Sequence, residues 1–194
     1  MENNLMTRKI RIFVAGSKGL KSKRDFVKKI VMDYNTNHFD MYMKPYIFYI
    51  YDYESFYPAQ RRIGQQEELY NTFIDSHADL ALFFIEGNLG EKTKEELNVA
   101  LNAIKKDRRP LHPDVHVFGR KGLNSRDIED IVKDYFKDYT SYDNLEKSII
   151  SILDGFVDRL EMYRNSFSED YYRNASEREM RFMSYIYSIN YLSI

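Results

Sequence analysis

Cysteine and tryptophan are absent from this chain of 194 residues. The absence of cysteine excludes disulfide bonds, thiolate metal ligands and a cysteine nucleophile. The histidines are four in number, His38, His77, His112 and His116, and none follows the spacing of a helical zinc motif. Pro113 separates the last two, so they are not expected to share a helix face. We therefore expect no metal site.

The sequence also lacks an excess of charge of either sign and any long apolar run. Its net charge is -1, from 29 basic and 30 acidic residues, so charge gives no argument for a nucleic-acid or anionic membrane partner. No segment approaches the about 18 apolar residues of a membrane span, and the first residues contain no apolar stretch long enough for a signal peptide. We expect a cytoplasmic protein with no membrane contact.

Proline and glycine are scarce and unevenly placed. All four prolines lie at or before Pro113, and after Gly122 only Gly155 remains of the eight glycines. In this end of the chain, which has no proline and a single glycine, apolar residues recur at helical spacing. The pattern predicts helices over about 142–165 and 175–192.

These two helices form a predicted C-terminal extension, 141–194, that follows an α/β domain, 1–140. They carry more apolar residues than a surface helix needs, which is typical of an interface. We predict that the extension mediates homo-oligomerisation or binds a domain missing from this chain. The alternative is that both helices simply cover the sheet.

Apolar runs alternate with amphipathic segments through the first 140 residues. Strands are predicted over 9–16, 44–53, 79–86, 114–120 and 135–139, and helices over 20–34, 65–78, 93–106 and 125–134. This alternation is typical of a parallel α/β sheet, and the almost continuously apolar run 79–86 marks its central strand. We predict a five-stranded flavodoxin-like sheet in the order 2-1-3-4-5. Its ligand crevice lies between the first and third strands, beyond their carboxyl ends.

Half of the glycines fall in the loops that follow these two strands, at Gly16, Gly19, Gly87 and Gly90. In the predicted order the two loops face each other across the crevice, where glycine lets a ligand approach the backbone. The first loop also leads into a helix N-terminus, which favours a phosphate group, and Lys18 or Lys21 is a candidate to supplement it. The alternative is that both loops are ordinary strand-to-helix turns.

Thr93 and Glu96 stand near the predicted start of the third helix. Their spacing is that of a capping box, which needs no ligand. Glu96 also lies at the edge of the helix's apolar face, where it can lean over the crevice, whereas Glu95 is expected to point to water. Both roles of Glu96 remain open at this point.

Three stretches of the chain resemble the TIR and TIR-like superfamily and the related nucleoside deoxyribosyltransferases: IFVAGSKG, ADLALFFIEG and TKEELNVA. The resemblance spans residues 8–140. In both families a glutamate at the start of the helix after strand three serves chemistry at an N-glycosidic bond. The residue that matches it here is Glu96, so the resemblance implies that Glu96 is catalytic.

The match to these families is incomplete. Gly90 stands where deoxyribosyltransferases have an aspartate that handles the base, and Glu91 is offset by one. Ala15-Gly16-Ser17 replaces the usual TIR box after the first strand, and the tryptophan often found near the TIR glutamate is missing. A nucleoside base needs a general acid to leave, whereas nicotinamide leaves NAD as a neutral molecule. Because Glu96 is the one carboxylate that clearly matches the families' site, the sequence favours NAD over a nucleoside as the substrate.

The loop 52–64 resembles the long loop with which TIR domains cover the nucleotide. Tyr53, Phe56 or Tyr57 is a candidate to stack on nicotinamide or adenine, and Arg61 or Arg62 is a candidate to bind a phosphate. The alternative is that these aromatic residues only fix the loop to the sheet edge.

These observations predict a TIR-like enzyme that cleaves the nicotinamide–ribose bond of NAD, with cyclisation of the product left open. The resemblance implies a role in prokaryotic antiviral defence or signalling, with NAD as substrate and no required cofactor. The alternatives are a non-catalytic TIR-like nucleotide-binding or assembly module and a deoxyribosyltransferase-like nucleotide hydrolase. The candidate nucleotide-contacting residues are Gly16, Ser17, Lys18, Gly19, Tyr53, Phe56, Arg61, Gly87, Asn88 and Thr93.

Overall fold

The computed structural model describes residues 8–16, 18–38, 46–52, 66–86, 89–105, 113–120 and 135–166. The described strands are β1 (Arg8–Gly16), β2 (Tyr46–Tyr51), β3 (Leu80–Ile85), β4 (Asp114–Arg120) and β5 (Phe136–Tyr139). The α-helices are α1 (Lys21–His38), α2 (Thr72–Ser76), α3 (Glu91–Lys105) and α4 (Tyr142–Ser166). A 3-10 turn, Lys18–Leu20, precedes α1, and a π-helix, Gln66–Asn71, precedes α2.

The described strands form one parallel sheet in the order β2-β1-β3-β4-β5. All six side chains of β3 are buried, as its almost continuously apolar sequence requires of a strand covered on both faces. β1 pairs with β3 from Ile12↔Leu80 to Gly16↔Phe84. The predicted α/β class is therefore confirmed, as are the central position of the 79–86 run and its pairing with the first strand.

Alternate residues of the strands divide the core into two layers. On β3, Leu82 and Phe84 pack with α1 and α4, whereas Phe83 and Ile85 pack with α2 and α3. This period of two follows from the pleat of a strand, which sends successive side chains to opposite faces. The sheet therefore has helices on both faces, and its ends are where polar groups gather.

Helix α4 belongs to the core. Its stripe of Leu145, Ile149, Leu153 and Phe156 is buried in the same cluster as β1 and β3. The expectation that this helix offers free apolar surface to a partner is wrong, because the sheet already covers that stripe. The predicted helix 175–192 lies outside the described residues, so self-association through it remains a prediction, as does a domain boundary at residue 140.

One helical segment has a geometry that the sequence did not predict. The expected helix 65–78 is a π-helix, Gln66–Asn71, followed by only five residues of α2. A π-helix accommodates one extra residue per turn and has no compositional signature, so hydrophobic spacing alone does not reveal it. The predicted helix 125–134 lies outside the described residues.

None of the helices in the described part of the chain combines the length and the hydropathy of a membrane span.

Candidate functional site

The topology places a crevice at the carboxyl ends of β1 and β3. The chain leaves β1 toward α1 on one face of the sheet and leaves β3 toward α3 on the opposite face. Because neighbouring connections diverge there, a gap opens between the two loops, and ligands of open α/β sheets bind in such gaps. The candidate site is therefore built by the end of β1, the end of β3 and the first turns of α1 and α3.

Buried polar side chains gather at this end of the sheet. Among the described residues, five polar or charged side chains are buried, namely Arg24, Asp52, Asp79, Thr93 and Glu96. Four of these five lie at the carboxyl end, and only Asp79 lies at the amino end. Burying a charged side chain costs free energy, and the stability of the fold gains little from it. Such a concentration is typical of a functional site, where local rules of folding are relaxed.

Arg24 lies in the first turn of α1 with 1% of its surface exposed. Its Nη1 donates to the carbonyl oxygen of Gly16, 3.4 Å away, where β1 ends. The contact ties the buried guanidinium to the start of the glycine loop. Sequence reasoning did not select Arg24, because no periodic pattern distinguishes it from the other cations of α1.

The surroundings of the candidate glycines Gly16 and Gly19 differ. A Cβ at Gly16 would lie 3.3 Å from the carbonyl oxygen of Phe84 and 3.5 Å from Leu20 Cδ1. The close approach of β1 to β3 therefore favours glycine at position 16, and the predicted ligand contact of Gly16 stays a prediction. A Cβ at Gly19 would meet nothing within 4 Å. Open space for a ligand therefore exists at Gly19, not at Gly16.

The start of α3 rules out the capping box. The helix begins at Glu91, and the backbone N–H of Lys94 donates to the carbonyl oxygen of Gly90 at 2.9 Å. Gly90 is therefore the N-cap residue, whose carbonyl accepts the first helical hydrogen bond. Thr93 and Glu96 are the third and sixth residues of the helix, too far along to cap it. Both are buried, and the crevice role of Glu96 stays a prediction.

Glu95 does not point freely to water, contrary to expectation. Asn71, the last residue of the π-helix, donates from Nδ2 to Glu95 Oε1 at 2.6 Å. Glu95 is half-buried and joins the segment before α2 to the second turn of α3. The sequence did not reveal this contact because it depends on the π-helix.

Asp52 directly follows β2 and is fully buried. The ammonium Nζ of Lys28, one turn beyond Arg24 in α1, lies 2.7 Å from Asp52 Oδ2. This ion pair connects the end of β2 to α1 at the same end of the sheet. The sequence assigned Asp52 only to the start of a loop, since neither its burial nor its partner is visible in local pattern.

Glu86, the residue after β3, is the centre of a second polar cluster. Its Oε1 accepts a hydrogen bond from the Tyr139 hydroxyl at 2.5 Å and lies 3.5 Å from the Lys23 ammonium. That ammonium also lies 5.0 Å from the centre of the Tyr139 ring and 3.9 Å from that of Tyr142. The hydrogen bond with Lys23 lowers the pKa of the Tyr142 hydroxyl, against the opposing effect of desolvation. The predicted strand 79–86 ends at Glu86, and the sequence predicted no role for this residue.

The other predicted site residues divide between those the structure describes and those it does not. Lys18 begins the 3-10 turn, and Gly16, Gly19, Thr93 and Glu96 flank the crevice as described above. The predicted contacts that lie outside the described residues are Ser17, Tyr53, Phe56, Arg61, Gly87 and Asn88. Within the described ranges, no group of three or more histidine, aspartate or glutamate side chains is placed to hold a metal ion.

Comparison with known proteins adds no family: no protein-family model matches the chain, and no curated protein matches it. A functional assignment therefore rests on the crevice residues and their geometry.

Proposed function

We propose that this chain is a TIR-like NAD glycohydrolase with a flavodoxin-like sheet, in which Glu96 is the catalytic carboxylate. The observation that carries the proposal is the burial of Glu96 in the second turn of α3, beside the carboxyl ends of β1 and β3. A carboxylate shielded from water stabilises a nearby positive charge far more strongly than an exposed one.

In the proposed reaction, the bond between ribose C1′ and the nicotinamide nitrogen breaks, and its electron pair stays on that nitrogen. The cationic ring thereby leaves as neutral nicotinamide, and positive charge grows on the ribose. Glu96 offsets this charge, and a water oxygen then bonds to C1′ and releases a proton. The products are nicotinamide and ADP-ribose, or a cyclic form if a group of the same nucleotide replaces water.

Two other carboxylates at this end of the sheet contact other side chains, which supports NAD over a nucleoside as the substrate. Asp52 is buried against Lys28, and Glu86 already accepts from Tyr139. Neither is placed as a ready proton donor to a departing base, which a nucleoside would require. Gly90, at the position of the missing family aspartate, is exposed with open space around it.

The N-terminus of α1 supports an anionic nucleotide as the ligand. Its free N–H groups favour negative charge and Arg24 lies in its first turn, whereas Lys23 and Lys28 are paired with Glu86 and Asp52. The diphosphate of NAD carries two negative charges, so this side of the crevice suits it. The contacts predicted for Tyr53, Phe56 and Arg61 of the loop, and a setting in prokaryotic defence, belong to the same proposal.

One observation favours a second candidate, a nucleotide-binding or assembly module without catalysis. Glu96 has only 9% of its surface exposed, which a structural carboxylate would also show. In that case the crevice would bind NAD without breaking it.

Chromatography of reaction mixtures separates the candidates. The full chain, at high concentration, is incubated separately with NAD and with ribo- and deoxyribonucleoside monophosphates. We expect free nicotinamide from NAD and no free base from the monophosphates. Calorimetric binding of NAD without nicotinamide release would instead support the non-catalytic module, and release of a base from a monophosphate would support the deoxyribosyltransferase-like hydrolase.

A further inference from the structure

Tyr142, the first residue of α4, is an exposed aromatic side chain at the carboxyl end of the sheet. Three large apolar side chains are exposed among the described residues, namely Met32, Tyr49 and Tyr142. Met32 lies in the second half of α1, and Tyr49 lies within the edge strand β2. Of these three, only Tyr142, with 44% of its surface exposed, follows the end of a strand at the side of the sheet that carries the crevice.

The start of α1 holds the ring of Tyr142 in place. The ammonium Nζ of Lys23 lies 3.9 Å from the centre of the ring, and the Phe26 ring stands at 76° to it, with 4.7 Å between the ring centres. Hydrogen bonds with Lys23, and then with Ser22, lower the pKa of the Tyr142 hydroxyl against the effect of desolvation. A ring that is already ordered loses little conformational entropy when a ligand stacks on it, so its exposed surface favours binding.

The charges around Tyr142 are balanced. Lys23 is paired with Glu86 at 3.5 Å, and Lys21 is paired with Asp25 at 2.8 Å. The surface of the ring therefore suits an uncharged flat group better than an anion. Because Lys23 is the third residue of α1, such a group would lie beside the helix N-terminus that is proposed to bind the diphosphate.

The adenine of NAD has the properties that this position requires. It is flat, uncharged at neutral pH and linked to the diphosphate through one ribose. Stacking of a base on an aromatic side chain is a common mode of nucleotide binding, because every base has a π-face. We propose that Tyr142 binds the adenine of the nucleotide by stacking on it, an inference that rests on the proposed function.

This assignment defines how the dinucleotide lies across the end of the sheet. Tyr142 begins α4, which packs on the same face of the sheet as α1, whereas Glu96 belongs to α3 on the opposite face. With adenine at Tyr142 and nicotinamide at Glu96, the diphosphate lies between them and passes the N-terminus of α1. NAD, which contains two nucleosides, thereby contacts both faces at once.

Calorimetry with AMP and ribose 5-phosphate tests the adenine site directly, because only AMP carries the base. The full chain is compared with Tyr142→Leu, which is apolar but has no flat ring, and with Tyr142→Phe, which keeps the ring. We expect the wild type and Tyr142→Phe to bind AMP about 10-fold more tightly than ribose 5-phosphate, and Tyr142→Leu to bind both ligands equally. Tyr49→Leu, at another exposed tyrosine, is the control and should match the wild type.

Steady-state kinetics separate this inference from the proposed function. Nicotinamide mononucleotide contains the bond to nicotinamide but no adenosine. Tyr142→Leu should raise KM for NAD by about 10-fold, leave kcat unchanged and match the wild type with the mononucleotide. An equal loss with both substrates, or wild-type binding of AMP by Tyr142→Leu, would overturn the role of Tyr142. Binding of AMP that depends on Tyr142, in a chain that leaves NAD intact, would support the adenine site and contradict the glycohydrolase alone.

Discussion

The two ends of the sheet use polar side chains in different ways. At the amino end they join elements that are distant in the chain: Asp79 Oδ2 accepts from the backbone N–H of Arg11 at 2.7 Å, and Asp154 accepts from the Tyr34 hydroxyl at 2.6 Å. Tyr46 likewise donates to Glu161 of α4. At the carboxyl end four polar side chains are buried around two glycine loops, and the Lys28–Asp52 ion pair joins distant elements there too. We propose that the polar groups of the amino end serve stability alone, whereas those of the carboxyl end also form the ligand site.

The space available at the amino end supports this division. A cavity of about 70 Å³ lies there between α1, β2 and α4, lined in part by Tyr34, Tyr46 and Asp154. Pockets for molecules of nucleotide size measure roughly 300–1,000 Å³, so this cavity is too small for one. Substitutions at the amino end should therefore lower stability and leave nucleotide chemistry intact.

The largest expected loss of stability comes from the core of α4. Leu153 is fully buried against the sheet, so Leu153→Ala removes apolar contacts and leaves a cavity. We expect the free energy of unfolding in urea to fall by about 2–5 kcal/mol. Ser151→Ala, on the exposed side of the same helix, is the control and should stay close to wild type. A similarly small effect of Leu153→Ala would mean that α4 is a detachable extension.

Asp79→Ala should have the next largest effect. The substitution leaves the partly buried Arg11 N–H without its carboxylate acceptor, which costs about 1–3 kcal/mol. Denaturant unfolding measures the loss, and Asp33→Ala, exposed on α1, is the control. If Asp79→Ala impaired NAD cleavage while the protein stayed folded, the claim that the amino end serves stability alone would be contradicted.

Tyr34→Phe should have a smaller effect that depends on pH. Burial, and then the hydrogen bond to Asp154, raise the pKa of Tyr34 above its usual value. The folded protein therefore keeps the phenolic proton at a pH where the unfolded chain loses it. This contribution, about 1 kcal/mol, is fully present below the unfolded pKa of about 10 and is lost as pH rises toward the folded pKa.

The measurement for Tyr34 is the urea midpoint at about pH 8 and about pH 11. The wild type should lose its advantage over Tyr34→Phe between these values, and Tyr49→Phe, which removes a hydroxyl from an exposed tyrosine, is the control. An equal difference between wild type and Tyr34→Phe at both pH values would contradict the role given to this hydroxyl.

Gly19→Ala should have the smallest effect on stability and the opposite sign. Its Cβ would meet nothing within 4 Å, so alanine should raise the free energy of unfolding by about 0.4–1 kcal/mol, by restricting the unfolded chain. Gly155→Ala in α4, whose Cβ makes only an ordinary 3.7 Å contact with Arg159 Nη1, is the matched control. Both variants should be stable, but only Gly19→Ala should slow NAD cleavage. Equal rates would remove Gly19 from the nucleotide site.

Local pattern was sufficient for the strands and for the layers around them. The β4 bounds, Asp114–Arg120, coincide with the prediction; β1 begins one residue earlier than predicted, and β3 is one residue shorter at each end. Side-chain alternation and apolar runs are local properties, so these elements are readable from neighbouring residues alone. The helix stripe of α4 was equally visible, but what covers it was not.

The polar architecture of the site could be predicted only in part. Glu96 was selected by a family resemblance and by its place on the helix face, but its burial is a result of tertiary packing that local pattern does not contain. The contacts of Arg24 with Gly16 and of Asp52 with Lys28 join side chains to distant elements. No spacing rule covers such contacts, because tertiary packing decides them.

The most direct test of the central claim is the rate of NAD cleavage by Glu96→Gln, measured with the urea stability of the same protein. Glu91→Gln is the control, since Glu91 is exposed in the first turn of the same helix, whereas Glu95 is held by Asn71. We expect Glu96→Gln to remain folded while its cleavage rate falls by about 100-fold or more, the scale of a lost electrostatic stabiliser, and Glu91→Gln to match the wild type in both measurements. A folded Glu96→Gln protein that cleaves NAD at the wild-type rate would contradict the catalytic role of Glu96.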